Sequence, residues 1–300
     1  MVQGCRGTLS AGNAIPVDDS TVFETGSLTK PVMALLFSVL NERKEISLEQ
    51  PVSRFFKKGM VHPIFDIIII KDIITHTSGL PRLPALFLQK MTNAGDPYAS
   101  LQKHDLYDYL RHPSEINKPG KYQYSNLGYG LLGEILVTHF NTPLFSLANE
   151  LVLNPLGMLR TKPVEQFAGD ANMATGHTIK NTGTPYWHDD VLAGAGFLLS
   201  CNNDMGKFLQ AQMFPASYSM GNAILNTHEL MTRRTTLGWH FKKGFLAQLL
   251  RYSGYLWHNG MTGGFASFMA FNKKKGTGFT LLANKAILPD SYFYRFVSYF

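Results

Sequence analysis

Ser27 and Lys30 stand one helical turn apart at the head of a long apolar run, a spacing that can pair a nucleophile with its own base. The run, residues 31–40, holds Val32, Met33, Ala34, Leu35, Leu36, Phe37, Val39 and Leu40, apolar nearly all round as in a helix buried inside a domain. A helix starting near Ser27 sets both side chains on one face at its amino end. A hydroxyl there lies among unpaired backbone N–H groups and the positive end of the helix dipole, which suits a group whose product is an oxyanion. Pro31 agrees, since proline is tolerated near a first helical turn. Ser-x-x-Lys is a weak pattern, and Ser100-Leu101-Gln102-Lys103 repeats it. Ser100 follows a loop-like Asn93-Ala94-Gly95-Asp96-Pro97 and precedes polar residues, so it reads as a surface or helix-cap serine.

Two other stretches carry chemical groups. Tyr124 and Asn126 open a helix just after the breaker Pro119-Gly120. The phenol can move protons and the amide can hold a carbonyl; the plainer reading is that Tyr124 packs and Asn126 caps. Trp257-His258-Asn259-Gly260-Met261-Thr262-Gly263-Gly264 reads as the link between two strands. Its glycines either admit a substrate backbone or make an ordinary turn. Neither His-Glu-x-x-His nor Cys-x-x-Cys occurs, and no Gly-rich phosphate loop or Gly-x-Ser-x-Gly is present, so no metal or cofactor is expected.

These groups need a scaffold. At 300 residues and 45% hydrophobic content the chain can bury a large core, as one big domain or two interlocked ones. No stretch approaches the ~18 uninterrupted apolar residues of a membrane span, and the polar, Gly-rich start has no signal-peptide core. Cys5 and Cys201 make no framework; free thiols are the simpler reading beside a single disulfide. The net charge of +7 is spread over small groups such as Lys57-Lys58 and Lys273-Lys274-Lys275. That distribution argues against nucleic acid and supports only a mild preference for anionic partners.

Residues 1–22 read as the remnant of a strand or hairpin. Helical signals dominate from 27 to about 160: a short helix where 67–70 run into 71–81, stopped by Gly79 and Pro81, another at 106–110, one whose buried face is Leu127, Leu131, Leu132, Ile135 and Leu136, and one over 144–153. Gly128, Gly130 and Gly133 weaken the third of these and point to close packing against a neighbour. Residues 161–190 are loop-rich, and Asn203 or Asp204 caps a helix over 205–213. Stretches 235–241, 245–257, 265–271 and 277–283 read as strands, with Asn272-Lys273-Lys274-Lys275-Gly276 as a hairpin turn. A helix over 291–300 closes the chain. The expected class is α+β: an antiparallel sheet flanked by helices, with a mostly helical lobe. Residues 1–26 and 205–300 would form the sheet lobe and 27–204 the helical lobe, with the active site between them.

Taken in order, Ser27-x-x-Lys30, Tyr124-Ser125-Asn126 and His258-Asn259-Gly260 resemble the motif set of the serine β-lactamase and penicillin-binding-protein superfamily. A tyrosine opening the second motif resembles the branch of class C β-lactamases, DD-peptidases and esterases. Supporting matches are Phe23-Glu24-Thr25-Gly26, His76-Thr77-Ser78-Gly79-Leu80-Pro81, Asn154-Pro155-Leu156-Gly157-Met158, Ala193-Gly194-Ala195-Gly196 and Gly263-Gly264-Phe265-Ala266-Ser267-Phe268. Together they cover roughly residues 20–285.

The resemblance implies a β-lactamase/transpeptidase-like fold and an acyl-enzyme on Ser27. It implies Lys30 and Tyr124 as a coupled proton-transfer pair, and the N–H groups of Ser27 and Met261 as the oxyanion hole. Asn126 and Asn259 would orient a substrate amide beside Gly260. His258 stands where class C enzymes usually carry lysine; a partly charged imidazole would grip a substrate carboxylate less firmly. The implied substrate is a small molecule or a peptidoglycan peptide of D-Ala-D-Ala type, or a β-lactam. A carboxylesterase, or a catalytically silent relative that binds cell wall or itself, remain the alternatives. A periplasmic or cell-envelope location is implied, although no signal peptide opens this chain. Family members usually carry more chain before the serine, so a fragment or a late-started frame is expected. Oligomeric state stays open.

Overall fold

The computed structural model describes residues 3–188, 190–241 and 254–287. Strand β1 (Val22–Glu24) leads through a tight 3-10 turn at Gly26–Leu28 into helix α1 (Thr29–Glu42). Every residue of α1 from Thr29 to Leu40 is buried, Lys30 included, as its all-round apolar pattern requires. A fully buried Leu, Met or Phe contributes about 1.5–3 kcal/mol, so this helix is the spine of the main core.

Around it stand α2 (Ile70–Ile74), α3 (Ala85–Lys90), α4 (Lys103–Arg111), α5 (Asn126–Phe140) and α6 (Leu144–Ala148), the last continuing as a wide π turn to Leu153. A small hairpin of β2 (Gly176–His177) and β3 (Gly183–Thr184) breaks the loop-rich stretch. Next come α7 (Ala193–Gly196), β4 (Leu199–Cys201), α8 (Asn202–Met213) and α9 (Gly221–Thr227). Strand β4 pairs antiparallel with β1, Phe23 opposite Ser200.

The last part is an antiparallel four-stranded sheet in the order β5 (His240–Phe241), β6 (Leu256–Met261), β7 (Ala266–Asn272) and β8 (Thr277–Ala283). Asn272 faces Thr277 across the expected hairpin turn, which Gly276 closes at φ +65°. Helix α8 packs on β7 and β8, while α1 packs on α7 and α9. The α+β class is the one expected.

Several local expectations change. The His258 motif lies within β6, and the turn to β7 begins only at Thr262. Cys201 precedes α8, and Asp204 does not cap it: its carboxylate accepts from Arg160 N–H (2.7 Å) and Thr161 Oγ1 (3.1 Å). Ser125, not Asn126, caps α5, its Oγ accepting from Gly128 N–H at 2.8 Å. Helices α3, α7 and α9 and strand β4 were not expected, because each is too short for a clear period. Ser100 is on the surface, donating to Lys90 O at 2.6 Å, and Cys5 and Cys201 are free thiols. The closing helix over 291–300 and most of the strand over 245–257 lie outside the described residues. Among the described residues no helix is long and apolar enough to cross a membrane.

The α5 glycines do mark a close approach. A Cβ on Gly130 would lie 2.8 Å from Val191 O, and one on Gly194 only 2.1 Å from Tyr129 O. Gly194→Ala should therefore lower stability by at least about 1–3 kcal/mol in urea unfolding, the usual cost of overpacking. Gly4→Ala, with nothing within 4 Å of the added carbon, should leave the midpoint unchanged. Equal midpoints for the two variants would contradict this packing.

Candidate active site

Backbone contacts fix Ser27 on both sides. Thr25 donates its N–H (3.1 Å) and its Oγ1 (2.6 Å) to Leu198 O, and Leu198 N–H donates to Thr29 Oγ1 at 3.2 Å. Gly26 takes φ +50°, where a Cβ would also meet Met261 N at 3.1 Å. From the other side, a Cβ on Gly260 would lie 2.0 Å from Thr25 O and 2.9 Å from Ser27 N. Gly260 thus serves the chain's own backbone: it lets β6 press against the serine turn. Of the two readings of these glycines, substrate approach or an ordinary turn, neither describes Gly260 and Gly264, whose open sides face Thr25 and Gly176. The result brings the segments carrying the Ser27 and Met261 N–H groups together.

Two polar tips meet at Ser27 Oγ. Lys30 Nζ donates to it at 3.0 Å and Tyr124 Oη at 2.8 Å. Lys30 is fully buried; its Nζ also donates to Ala195 O at 2.8 Å and lies 5.0 Å and 5.3 Å from the ring centroids of Tyr124 and Tyr129. Burial raises the Tyr124 phenol far above its ordinary value, with Ser27 and Arg82 pulling the other way, so it stays protonated near neutrality.

Tyr124 is delivered by a loop-to-loop ladder. Asn117, Gly120 and Gln123 donate their N–H groups to Gly79 O (2.9 Å), Thr77 O (2.7 Å) and His76 O (2.7 Å). The approach is tight enough that a Cβ on Gly79 would fall 2.0 Å from Asn117 O. His76 lies under the Tyr124 ring at 4.4 Å, and its Nδ1 accepts from Ser125 N–H at 3.1 Å, which puts its proton on Nε2. Arg82 covers Tyr124 from outside, Cζ 5.1 Å from the centroid, while its carbonyl accepts from Asn126 N–H at 3.1 Å.

His258 is buried and stacks on His240 at 4.7 Å. Its Nδ1 is 2.8 Å from Asn259 O; since a carbonyl only accepts, Nδ1 carries the proton. Burial, then His240 and Lys30, hold His258 well below the ordinary histidine value. The expectation of a partly charged imidazole is therefore corrected: His258 is neutral at pH 7. Asn259 is half-buried and Met261 is exposed at the end of β6. Asn126 donates from Nδ2 to Tyr98 Oη at 3.4 Å, while its buried Oδ1 has no hydrogen-bond partner among the described residues.

Sequence reasoning gave no role to His76, Arg82, Ala195, His240 or Glu24. His76, Ala195 and Glu24 sit in stretches it singled out, but their contacts run between segments far apart in the chain. Glu24 is buried, accepting from Trp187 N–H (2.6 Å) and Thr262 Oγ1 (2.5 Å). Among the described residues no group of His, Cys, Asp or Glu could hold a metal ion.

A serine held by a buried lysine and a half-buried tyrosine, in an α+β fold, defines the class. A family model described as Beta-lactamase matches residues 3–297, and the chain belongs to that family. It is 28% identical over 226 residues to a Beta-lactamase of Providencia stuartii, a match of 74% of this chain and 55% of that protein; the chain thus spans about half the length of that relative. It is 23% identical over 304 residues to the D-alanyl-D-alanine-carboxypeptidase/endopeptidase AmpH of Escherichia coli, covering 94% of this chain and 76% of that one. Esterase EstB of Burkholderia gladioli is 30% identical over 158 residues, 48% of this chain and 38% of its own. Among solved structures, a class C beta-lactamase matches at TM-score 0.80 and 24% identity over 98% of this chain and 85% of that one. A beta-lactamase/D-alanine carboxypeptidase from Pseudomonas syringae matches at 0.80 and 20%, over 98% and 87%. The fold is therefore that of class C beta-lactamases, and the family supports a hydrolase.

Because His76 and His258 are both held below the ordinary value, the unfolded chain binds protons that the folded one refuses. Their contribution is complete above the unfolded value of about 6.5 and is lost as pH falls below it. His258→Gln should flatten the drop in urea midpoint between about pH 7.5 and about pH 5; an unchanged slope would show that this imidazole titrates freely in the fold.

Proposed function

We propose that the protein is an acyl-serine hydrolase in which Ser27 attacks a carbonyl carbon. The observation that carries this reading is the convergence of Lys30 Nζ (3.0 Å) and Tyr124 Oη (2.8 Å) on Ser27 Oγ. The Ser27 proton passes to Lys30 in its amine form as Oγ bonds the carbonyl carbon. Tyr124, kept a phenol by burial, relays a proton to the departing nitrogen or oxygen. The N–H groups of Ser27 and Met261 receive the oxyanion, and Asn126 and Asn259 orient the substrate. Water then releases the acid by the same steps in reverse. The neighbourhood of Ser27 Oγ would be the meeting place of the two lobes expected from sequence.

The substrate class follows from the relatives: D-Ala-containing peptides or β-lactams, by analogy with AmpH and the beta-lactamases. A second reading, a carboxylesterase, is favoured by the neutral, buried His258, because the third motif then offers no fixed cation to a substrate carboxylate. A fluorescent penicillin separates the two. A stable adduct located on Ser27 by mass spectrometry supports the peptidase or β-lactamase reading, and rapid turnover of p-nitrophenyl esters with no adduct supports the esterase. Neither result would leave a silent binding relative. In an active enzyme, Ser27→Ala should abolish adduct and turnover, and Tyr124→Phe should cut kcat by about a hundred- to ten-thousandfold. Full turnover in the Ser27→Ala variant would end the proposal.

A further inference from the structure

Glu24 is a buried carboxyl group three residues before Ser27 that the reaction above does not use. Its two oxygens reach in two directions. Oε2 accepts the hydroxyl of Thr262, the residue directly after Met261. Oε1 accepts the backbone N–H of Trp187 at 2.6 Å. The Trp187 ring meets Tyr98 edge-on at 5.1 Å, and Tyr98 Oη accepts from Asn126 Nδ2 at 3.4 Å. The strand end and the Trp187 loop also touch directly: a Cβ on Gly263 would lie 3.1 Å from Trp187 Nε1. One side chain therefore ties together the oxyanion side of the cleft and the Asn126 side, from a strand that runs straight into the nucleophile.

We propose that Glu24 is a positioning residue whose ionised carboxylate holds Met261 N–H and the Trp187 loop in place for acylation of Ser27. The inference rests on the acyl-serine reading. It adds a residue that touches neither substrate nor nucleophile and acts through Thr262 and Trp187.

The geometry makes the clamp sensitive to ionisation. Both oxygens already accept a donor; an added proton on Oε2 would be donated to a lone pair of the Thr262 hydroxyl, so the charge-assisted bond of the carboxylate becomes a weaker neutral one. Burial pushes the carboxyl up to about 7, opposed by the Thr262 and Trp187 hydrogen bonds. The charged groups facing it are Asp96, which raises it further, and His188, which lowers it; those two are paired at 2.7 Å, and the Tyr186 phenol lies nearby. The sign for stability is opposite to the sign for function. Between the unfolded carboxyl's ordinary value and about 7 the folded chain holds the extra proton, so the stability Glu24 contributes is lost as pH rises through about 7. The clamp tightens over the same interval, as its hydrogen bonds become charge-assisted. A residue that merely supports the fold would make activity and stability move together.

The test measures kcat and KM for a p-nitrophenyl ester, with urea midpoints, from about pH 5.5 to about pH 8.5 in wild type, Glu24→Gln, Thr262→Val and Thr262→Ser. In the wild type, kcat should gain a rising step near neutrality that Glu24→Gln lacks. At the alkaline end Glu24→Gln and Thr262→Val should lose about ten- to a hundredfold in kcat with KM nearly unchanged, as expected for a misplaced oxyanion donor. Glu24→Gln should at the same time keep or raise the urea midpoint, and Thr262→Ser should restore kcat. If Glu24→Gln keeps the wild-type kcat profile, or loses activity only in step with stability, the Glu24 inference fails while the acyl-serine reading stands. If the wild type neither turns over ester nor labels with penicillin at any pH, both fail.

Discussion

The structure depends on one uncomfortable placement: the amine of Lys30, fully buried at the start of a helix that is otherwise apolar. An amine taken out of water without partners costs several kcal/mol, and in an apolar core it would destabilise the fold outright. Here the partners are Ser27 Oγ, Ala195 O and the faces of Tyr124 and Tyr129. Each comes from a different segment, so satisfying one nitrogen requires α1, α5, α7 and the loop before α5 to meet at one point. Gly194 and Gly130 allow that meeting by removing the side chains that would hold α5 and the 191–196 stretch apart.

Around that nitrogen the protein has built a layer of rings. His76, Tyr124, His240 and His258 lie in successive contact, and Tyr122 and Tyr129 meet His76 edge-on and tilted. Burial drives His76 and His258 toward neutrality and keeps the Tyr124 and Tyr129 phenols protonated, so these four rings contribute shape and hydrogen-bond direction without competing charge. Arg82 closes the layer from the solvent side. In such a setting a proton at Ser27 has few places to go, and the nearest are the lysine and the tyrosine.

The other half of the site is backbone. Gly26 and Gly260 are the two positions where the serine turn and β6 press together; a side chain would clash at Gly260 and would be tight and strained at Gly26, with its φ of +50°. Ser267 Oγ donates to Thr25 O at 2.6 Å, and Glu24 reaches Thr262 beyond the same strand end. This packing acts on backbone and needs no particular side chain at Met261, which is exposed at the end of the strand.

The sequence by itself determined the elements with a long or sharp signal: α1 from its apolar run, the body of α5, the β7–β8 hairpin from its lysine turn, and the ordered set of Ser27, Lys30, Tyr124, Asn126 and His258. Those are properties of period, turn chemistry and residue type, and they survive without a neighbour. Tertiary structure alone decided the rest. It placed the His258 motif inside a strand, gave the cap of α5 to Ser125, revealed that Gly260 faces the chain's own backbone, and made His258 neutral. It also recruited His76, Ala195 and Glu24, whose partners lie far away in sequence. Burial and long-range contact set these outcomes, because a group's charge and hydrogen-bond role depend on what the fold packs against it rather than on the residues beside it in the chain.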